Sequence, residues 1–242
     1  MESRYCFVLL HGSWLGGWCW RSVTDLLEAE GHLVMAPSLL GFSERADALS
    51  GDLTLDSLID DVVDHIIRSS LPRVVLVGHS FAGVVITGVA DRIPALIQGL
   101  IYLDAMIVRN GKSAFSGYSS AEVEHRLAKA RSSETPFRVP VPTTIPAEWG
   151  IEGELARLVL GSLTPHPLGP YLSPLRLTGP LGGGKPLSYI RCTRPRHPLL
   201  NDVFYQVRYD GVWRTVDLPT AHLPMLTDAK ALAKLLVELA NN

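Results

Sequence analysis

Residues 74–90 constrain the fold most, because they predict a buried strand, a sharp turn and a buried helix in direct succession. Val74-Val75-Leu76-Val77 consists of branched apolar residues, which is typical of a strand covered on both faces. The next stretch, Gly78-His79-Ser80-Phe81-Ala82-Gly83, places a serine in a turn of small residues, and residues 84–90 are apolar on nearly every side. This order of elements predicts a nucleophile elbow.

The residue types around Ser80 suit a nucleophilic serine. A serine at a strained strand-to-helix turn projects its Oγ above the edge of the sheet. The amide of Phe81 is expected at the start of the helix, where free N–H groups and the positive end of the helix dipole stabilise a developing oxyanion. Gly78 and Ala82 keep the neighbouring positions small. A strand–helix junction without a catalytic role also fits so short a motif.

Composition and charge bear on the kind of partner. The 242 residues are 47% hydrophobic and carry a net charge of −2 with no basic block, which argues against nucleic acid or a membrane as partner. Cys6, Cys19 and Cys192 are too scattered for a disulfide framework or a CxxC metal pair, which suits a reducing cytoplasm. No stretch is long enough to span a bilayer. We therefore expect a cytoplasmic protein with a small-molecule partner, and a homodimer stays open.

Alternation of strands and helices predicts the fold class. The segments expected to be strands are residues 5–10, 32–37, 74–77, 100–105, 187–192 and 213–218. The clearest helix runs from Leu55 to about Ser69, and the last runs from about Asp228 to Ala240 with Thr227 as its N-cap. The alternation predicts an α/β fold with a roughly six-stranded, mainly parallel sheet and helices on both faces.

A change of character in the middle of the chain predicts an insertion. Residues 1–105 and 185–242 are expected to form the core of a single domain. Residues 106–184 are rich in proline and are expected to form an inserted cap, with short helices near 121–131 and 153–161.

Four aspartates share one face of the helix that begins at Leu55: Asp56, Asp60, Asp61 and Asp64. Their spacing favours a solvated face with negative charge near the helix N-terminus over a metal cluster. The sequence therefore predicts neither a metal ion nor an organic cofactor.

His222 is the preferred general base among eight histidines. It follows the last predicted strand and precedes the final helix, at the sheet edge where Ser80 is expected. His79 adjoins Ser80, where neighbouring side chains diverge, so we expect it to support the site and border the substrate. His166 and His197 are candidates for substrate contact. Of the others, we expect His11 to support its turn and His32, His65 and His125 to lie at the surface.

The acid that orients the base is open between two aspartates. Asp104 ends the strand after the nucleophile strand and is expected at the same sheet edge. Asp202 lies beyond the strand ending at Cys192 and needs its loop to fold back. Asp217 lies within the final strand and is expected to face solvent or to pair with Arg214.

The turn after the first strand, residues 11–20, is rich in glycine and tryptophan. Folds with a nucleophile elbow take the second oxyanion donor from this loop, and Ser13 is the candidate. The alternative is that the glycines only make a tight turn. Trp14 and the other tryptophans of the loop are expected to line the pocket or the core.

Three motifs carry a family resemblance: residues 11–20, 78–83 and 221–225. They resemble the α/β-hydrolase branch that includes plant methylesterases and hydroxynitrile lyases, over nearly the whole chain and least through the cap. The resemblance implies an α/β-hydrolase fold, with Ser80 as nucleophile, His222 as base and the amides of Ser13 and Phe81 as oxyanion donors.

Two departures from that family pattern matter. Family members usually carry the acid shortly after the strand that ends here at Cys192, but residues 193–197 contain no carboxylate. Asp104 is therefore preferred as the acid, because it stands at a position that other α/β-hydrolases use for the acid. The lyases have threonine where this chain has Gly12, which favours an esterase.

The sequence thus predicts a serine hydrolase that cleaves a small, fairly apolar carboxylic ester, thioester or lactone through an acyl-enzyme. Ser80, His222 and Asp104 are the predicted catalytic residues, and Ser13 and Phe81 the predicted oxyanion hole. Trp14, His79 and His166 are the predicted substrate contacts. A lyase that uses the same triad, or a ligand-binding protein with little turnover, are the alternatives.

Overall fold

A six-stranded parallel sheet forms the centre of the protein. The computed structural model describes residues 4–48, 53–133 and 137–241. The strands in these ranges are β1 Cys6–Leu10, β2 Leu33–Met35, β3 Val74–His79, β4 Ile97–Leu103, β5 Arg138–Val139, β6 His166–Pro167, β7 Leu187–Cys192 and β8 Trp213–Leu218. The main sheet has the order β2-β1-β3-β4-β7-β8 with parallel neighbours throughout, and β5 and β6 form a separate antiparallel pair. The predicted fold class is confirmed.

Helices cover both faces of this sheet. They are α1 Arg21–Ala29, α2 Leu55–Arg68, α3 Ala82–Arg92, α4 Ser120–Arg131, α5 Ile145–Trp149, α6 Gly153–Ser162, α7 Leu168–Leu172, α8 Pro198–Arg208, α9 Pro224–Thr227 and α10 Ala229–Ala240. Alternate residues of β3 point to opposite sides: Leu76 packs in the cluster that holds α2, α3 and α8, and Val77 in the cluster that holds α1 and α10. Because both faces are buried, the strand has no polar side chain before His79.

The register of β3 and β4 positions the site. His79 lies opposite Leu103 across the two parallel strands. The next residues, Ser80 and Asp104, therefore leave the sheet side by side at its carboxyl edge, which is where open α/β sheets carry ligands.

The aspartates of α2 bond to arginines. Asp61 forms two hydrogen bonds of 2.7 Å with Arg45. The remaining pairs are Asp56 with Arg92 and Arg176, Asp60 with Arg92, and Asp64 with Arg68. Asp56 and Asp61 are only 26% and 18% exposed, so the face predicted as solvated is partly covered by ion pairs.

Several element boundaries differ from prediction: β4 runs from Ile97 to Leu103 instead of over residues 100–105, so Asp104 follows the strand, and β3 extends to His79. The N-cap of α10 is Asp228, whose Oδ1 accepts the Ala231 amide at 3.1 Å, and the prediction of Thr227 was wrong. Thr227 instead closes the short helix α9 and donates its hydroxyl to Leu223. Strand β2 ends at Met35, two residues before the proline that was predicted to stop it.

Residues 106–184 hold α4 to α7 and the β5–β6 pair. Helices α4 and α6 agree with the two that were predicted there. The division into core and inserted cap stays a prediction, and its outermost residues, 1–3 and 242, lie outside the described ranges. None of the described helices is long and apolar enough to cross a membrane.

Candidate active site

Ser80 stands at a strained turn between β3 and α3. Its φ is 54°, in the left-handed region that residues other than glycine rarely adopt and that is common at functional sites. The backbone is held there by its amide, which donates to Leu103 at 3.1 Å, and by its carbonyl, which accepts from Met106 at 2.9 Å. A Cβ on Gly78 would lie 2.7 Å from the Ala82 carbonyl oxygen, which explains the small residue before the turn.

His222 and Asp104 form a buried pair at the same sheet edge. The distance from His222 Nδ1 to Asp104 Oδ2 is 2.7 Å, and each side chain is 2% exposed. The loop between β8 and α9 carries the histidine, and the first residue after β4 is the aspartate. A carboxylate on Nδ1 keeps the proton on that nitrogen and leaves Nε2 as the proton acceptor.

Neighbouring strands hold the Asp104 carboxylate in place. Its second oxygen, Oδ1, accepts the Cys192 amide at 3.1 Å, and its own amide donates to the Ile190 carbonyl at 2.7 Å. The Tyr189 hydroxyl donates to the carbonyl of Ala105 at 2.9 Å. Both carboxylate oxygens therefore have a donor, as a polar group in a buried site requires.

Asp202 and Asp217, the other aspartates considered for the acid, do not contact His222. Asp202 is exposed on α8, because that helix begins at Pro198 and carries it away from the sheet edge. Asp217 faces solvent, as one of its two expectations had it, and pairs with Arg191 instead of Arg214 through two hydrogen bonds of 2.8 and 2.7 Å. Side chains of paired residues on neighbouring parallel strands meet: Arg191 and Asp217 are register partners.

The loop after β1 lies directly against the elbow. A Cβ on Gly12 would be 2.7 Å from Ser80 Cβ and 2.9 Å from His79 Nδ1. The amides of Ser13 and Phe81 donate no hydrogen bond within the described ranges. The Ser13 hydroxyl lies 2.6 Å from the Tyr171 hydroxyl. Two amides beside the elbow are thus free to bind an oxygen.

His79 lies behind His222. It is completely buried, its Nε2 donates to the His222 carbonyl at 2.9 Å, and the ring centroids are 4.6 Å apart. Burial, and then the nearby His222, hold the pKa of His79 well below its usual range. This neutral ring supports the main chain that carries His222.

His166 lies in an aromatic cage. The centroid of its ring is 4.7 Å from that of Phe42, 4.8 Å from Phe81 and 4.2 Å from Tyr171. Its Nδ1 donates to the Pro167 carbonyl at 2.7 Å, while Nε2 is buried without a hydrogen-bond partner in the described part of the chain. Burial lowers the pKa of His166 to about 3, so the ring is a neutral acceptor.

Two tryptophans form a wall that leads to His222. Trp14 adopts a φ of 64° and donates from Nε1 to the Val139 carbonyl at 3.2 Å. Its ring lies 6.4 Å from that of Trp149, which in turn lies 5.9 Å from the His222 ring. The wall joins the loop after β1 to the segment of residues 106–184.

Sequence reasoning missed several neighbours of the site. Tyr171, Trp149 and Arg126 belong to no motif, and their segment has no periodicity that places them. The His197 ring lies 5.4 Å from His222, and burial lowers its pKa to about 4. Unlike those three residues, His197 was a predicted candidate for substrate contact, from its place in the loop after Cys192.

Two further histidines test the predictions made for them. His11 donates to the Gly12 carbonyl and accepts the Leu39 amide at 2.9 Å, in agreement with a role in the turn. His32 is buried and accepts the Tyr5 amide at 3.2 Å, so its predicted surface position was wrong. The strand pairing of β1 with β2 brings its ring onto Phe7.

Metal ligands are not clustered in the described ranges: no three His, Cys, Asp or Glu side chains there lie close enough together to hold an ion. The arrangement at the sheet edge is built for proton transfer and for binding an oxyanion.

Comparison with known proteins gives consistent matches. The profile of the alpha/beta hydrolase family matches residues 7–235. A carbendazim-hydrolysing esterase of Nocardioides sp. (strain SG-4G) is 33% identical over 243 residues, covering 96% of this chain and 98% of that protein. A putative methylesterase 11, chloroplastic, of Arabidopsis thaliana is 33% identical over 122 residues, covering 49% of this chain and 30% of that protein.

A solved structure matches the fold over nearly its whole length. An extracellular α/β-hydrolase from a Paenibacillus species, described as sharing structural and functional homology with tobacco salicylic acid binding protein 2, has a TM-score of 0.86 at 23% identity. The match covers 98% of this chain and 100% of that one. At this identity it informs on the fold alone.

Proposed function

Because this chain belongs to the α/β-hydrolase family and is a carboxylic ester hydrolase of that type, we propose that it cleaves small, fairly apolar esters with Ser80 as nucleophile. The observation that carries the proposal is the buried Asp104–His222 pair at the sheet edge where Ser80 leaves β3. A histidine–aspartate pair at the sheet edge where a serine leaves a strained turn supplies the parts of an acyl-transfer site.

The first half of the reaction forms an acyl-enzyme. His222 Nε2 takes the proton of the Ser80 hydroxyl as Oγ attacks the ester carbonyl carbon. The carbonyl oxygen becomes negative and accepts hydrogen bonds from the amides of Ser13 and Phe81. The carbon–oxygen bond to the alcohol then breaks, and His222 returns the proton to the leaving alkoxide.

The second half releases the acid. A water molecule attacks the acyl carbon while His222 takes one of its protons, and the same two amides bind the oxyanion again. The intermediate collapses, Ser80 recovers its proton, and the carboxylic acid leaves. Asp104 stays ionised and stabilises the imidazolium at each stage.

The surroundings support a small and largely apolar substrate. Trp14, Trp149 and the aromatic cage around His166 lie beside the elbow and the loop after β1. The named substrates of the relatives, carbendazim and methyl esters, are likewise small molecules. Thioesters and lactones need the same chemistry, and we include them in the proposed substrate range.

The proposal includes a cytoplasmic location and hydrolysis in preference to lyase chemistry. The three cysteines are free and buried, which supports a reducing cytoplasm. Gly12 leaves no room for a side chain at the position where lyases of this branch have threonine, which supports hydrolysis over lyase chemistry.

Labelling with a fluorophosphonate probe and turnover of short p-nitrophenyl esters test the proposal. Intact-protein mass spectrometry should show a single adduct on the wild type and none on Ser80→Ala, and ester turnover should fall by about 10⁴-fold or more in that variant. Ser162→Ala, an exposed serine of α6, is the matched control and should label normally. Equal labelling of wild type and Ser80→Ala would contradict the proposal.

A further inference from the structure

Arg126 brings a positive charge to the aromatic side of the site. It lies on α4, and its side chain is only 17% exposed. The guanidinium carbon is 4.6 Å from the centre of the Tyr118 ring and 5.7 Å from that of Trp14. An arginine in such a position is held by stacking on aromatic faces.

Much of this guanidinium lacks a partner. Nη2 donates to Glu122 Oε1 at 3.0 Å, on a carboxylate that is 46% exposed. Nε and Nη1 are buried, and neither has a hydrogen-bond partner in the ranges described. Buried donors without acceptors are rare in native proteins, and a charged one is the most costly. The described chain therefore provides no acceptor for these two nitrogens, and a ligand reaches them only when the side chains that cover them shift.

Contacts connect Arg126 to the reacting centre. The ring under the guanidinium, Trp14, contacts Trp149, which contacts His222. Burial is the main reason for the low pKa of His166 and His197, and the Arg126 charge lowers the pKa of both further. The guanidinium thus acts on two histidines that border the elbow from different sides.

A cavity of about 340 Å³ opens beside Arg126. Its wall is formed by α4, by the stretch from Val139 to Thr144 and by Glu148. Four successive wall residues are valine or proline. Glu148 is exposed and accepts the Thr144 hydroxyl, so its charge is solvated. The volume suits a small organic molecule with an apolar body.

From this arrangement we propose that Arg126 binds a carboxylate on the substrate, so that the preferred substrates are half-esters: molecules with an ester to be cleaved at one end and one carboxylate at the other. The inference rests on the proposed esterase function and names its substrate class. A carboxylate fits better than a phosphate monoester, because Glu122 already pairs with this guanidinium and a doubly charged group would leave more negative charge unbalanced.

Paired substrates test the proposal. Monomethyl adipate is compared with methyl 6-methylheptanoate, the neutral ester in which an isopropyl group replaces the free carboxylate. The wild type should prefer the half-ester in kcat/KM. In Arg126→Met the ratio of the two values should fall by about 10- to 100-fold, the usual value of a charge-assisted hydrogen bond. Arg131→Met, which removes an exposed cation of the same helix, should leave the ratio unchanged.

A binding measurement separates this proposal from the esterase function. Calorimetry on Ser80→Ala should show tighter binding of the half-ester than of its neutral analogue, and the difference should shrink in the double variant with Arg126→Met. Hydrolysis of both esters with no preference for the half-ester, or an unchanged ratio in Arg126→Met, would overturn the carboxylate site and leave the esterase standing. No hydrolysis of either ester, with a binding preference that depends on Arg126, would overturn the esterase and retain the site.

Discussion

Both oxygens of the Asp104 carboxylate already have donors: the Cys192 amide and His222 Nδ1. An amide in place of the carboxylate removes the negative charge that stabilises the imidazolium and favours the wrong histidine tautomer. We expect Asp104→Asn to lower kcat by about 10⁴-fold on p-nitrophenyl acetate. Asp202→Asn changes an exposed residue of α8 and is the control, with kcat close to that of the wild type.

The reverse result, full activity in Asp104→Asn and loss in Asp202→Asn, would move the acid to α8.

The sequence left these two residues open for a physical reason. Strand alternation places Asp104 at the sheet edge, but nothing in residues 193–202 predicts that Pro198 starts a helix that carries Asp202 into solvent. The solvent-facing position of Asp217 was expected, but its partner Arg191 was not, since Arg191 lies on a neighbouring strand whose register is not visible in the sequence.

At the scale of elements, the loop after β1 and the elbow after β3 are packed together without a gap. Alanine at Gly12 would place its Cβ 2.7 Å from Ser80 Cβ, closer than such atoms approach in proteins. The loop must shift, and with it the Ser13 amide. We expect Gly12→Ala to lower kcat/KM by about 10²-fold, as for a displacement of about 1 Å at a reacting centre, in the p-nitrophenyl ester assay.

Gly161 is the matched control for that change. It lies in α6 with no atom near the position of an added Cβ. Gly161→Ala should leave the kinetics unchanged and raise the free energy of unfolding by about 0.5–1 kcal/mol, because alanine is the better helix former. Wild-type kinetics in Gly12→Ala would contradict this prediction, because they would show that the loop accommodates the added Cβ without moving the Ser13 amide.

Sequence patterns predicted all six strands of the main sheet but not helix α8, which is 11 residues long. A strong apolar run predicted β3, shorter mixed runs predicted β7 and β8, and amphipathic spacing predicted α2. The β5–β6 pair was missed, because two-residue strands have no periodicity. Those short strands and the helices around them place Arg126 and Trp149, so the part of the site that we propose selects the substrate was the part that sequence reasoning did not reach.

The whole molecule contains several histidines that fold in the neutral form. Burial lowers the pKa of His11 to about 4 and that of His166 to about 3. Each has a pKa of about 6.5 when the chain is unfolded. Below that pH the unfolded state binds more protons than the folded state. The contribution of these histidines to the free energy of unfolding is therefore fully present above about pH 6.5 and is lost as the pH falls towards 4.

Urea unfolding at a series of pH values measures this loss. We expect the free energy of unfolding to fall between about pH 6.5 and pH 4.5 by up to about 1.4 kcal/mol per pH unit for each such histidine. His166→Phe removes one titrating group and should reduce the slope, while His125→Gln alters an exposed residue and should not. A flat profile over this range would contradict neutral burial.

Ser80 directly follows β3 and Asp104 directly follows β4, so both proposed partners of His222 stand at the ends of adjacent central strands of one sheet. The connection that follows β7 has no carboxylate in residues 193–197, and its His197 ring lies 5.4 Å from the His222 ring. Because this stretch contributes a neighbour of the proposed base and none of the proposed catalytic groups, it is a suitable target for directed evolution of selectivity.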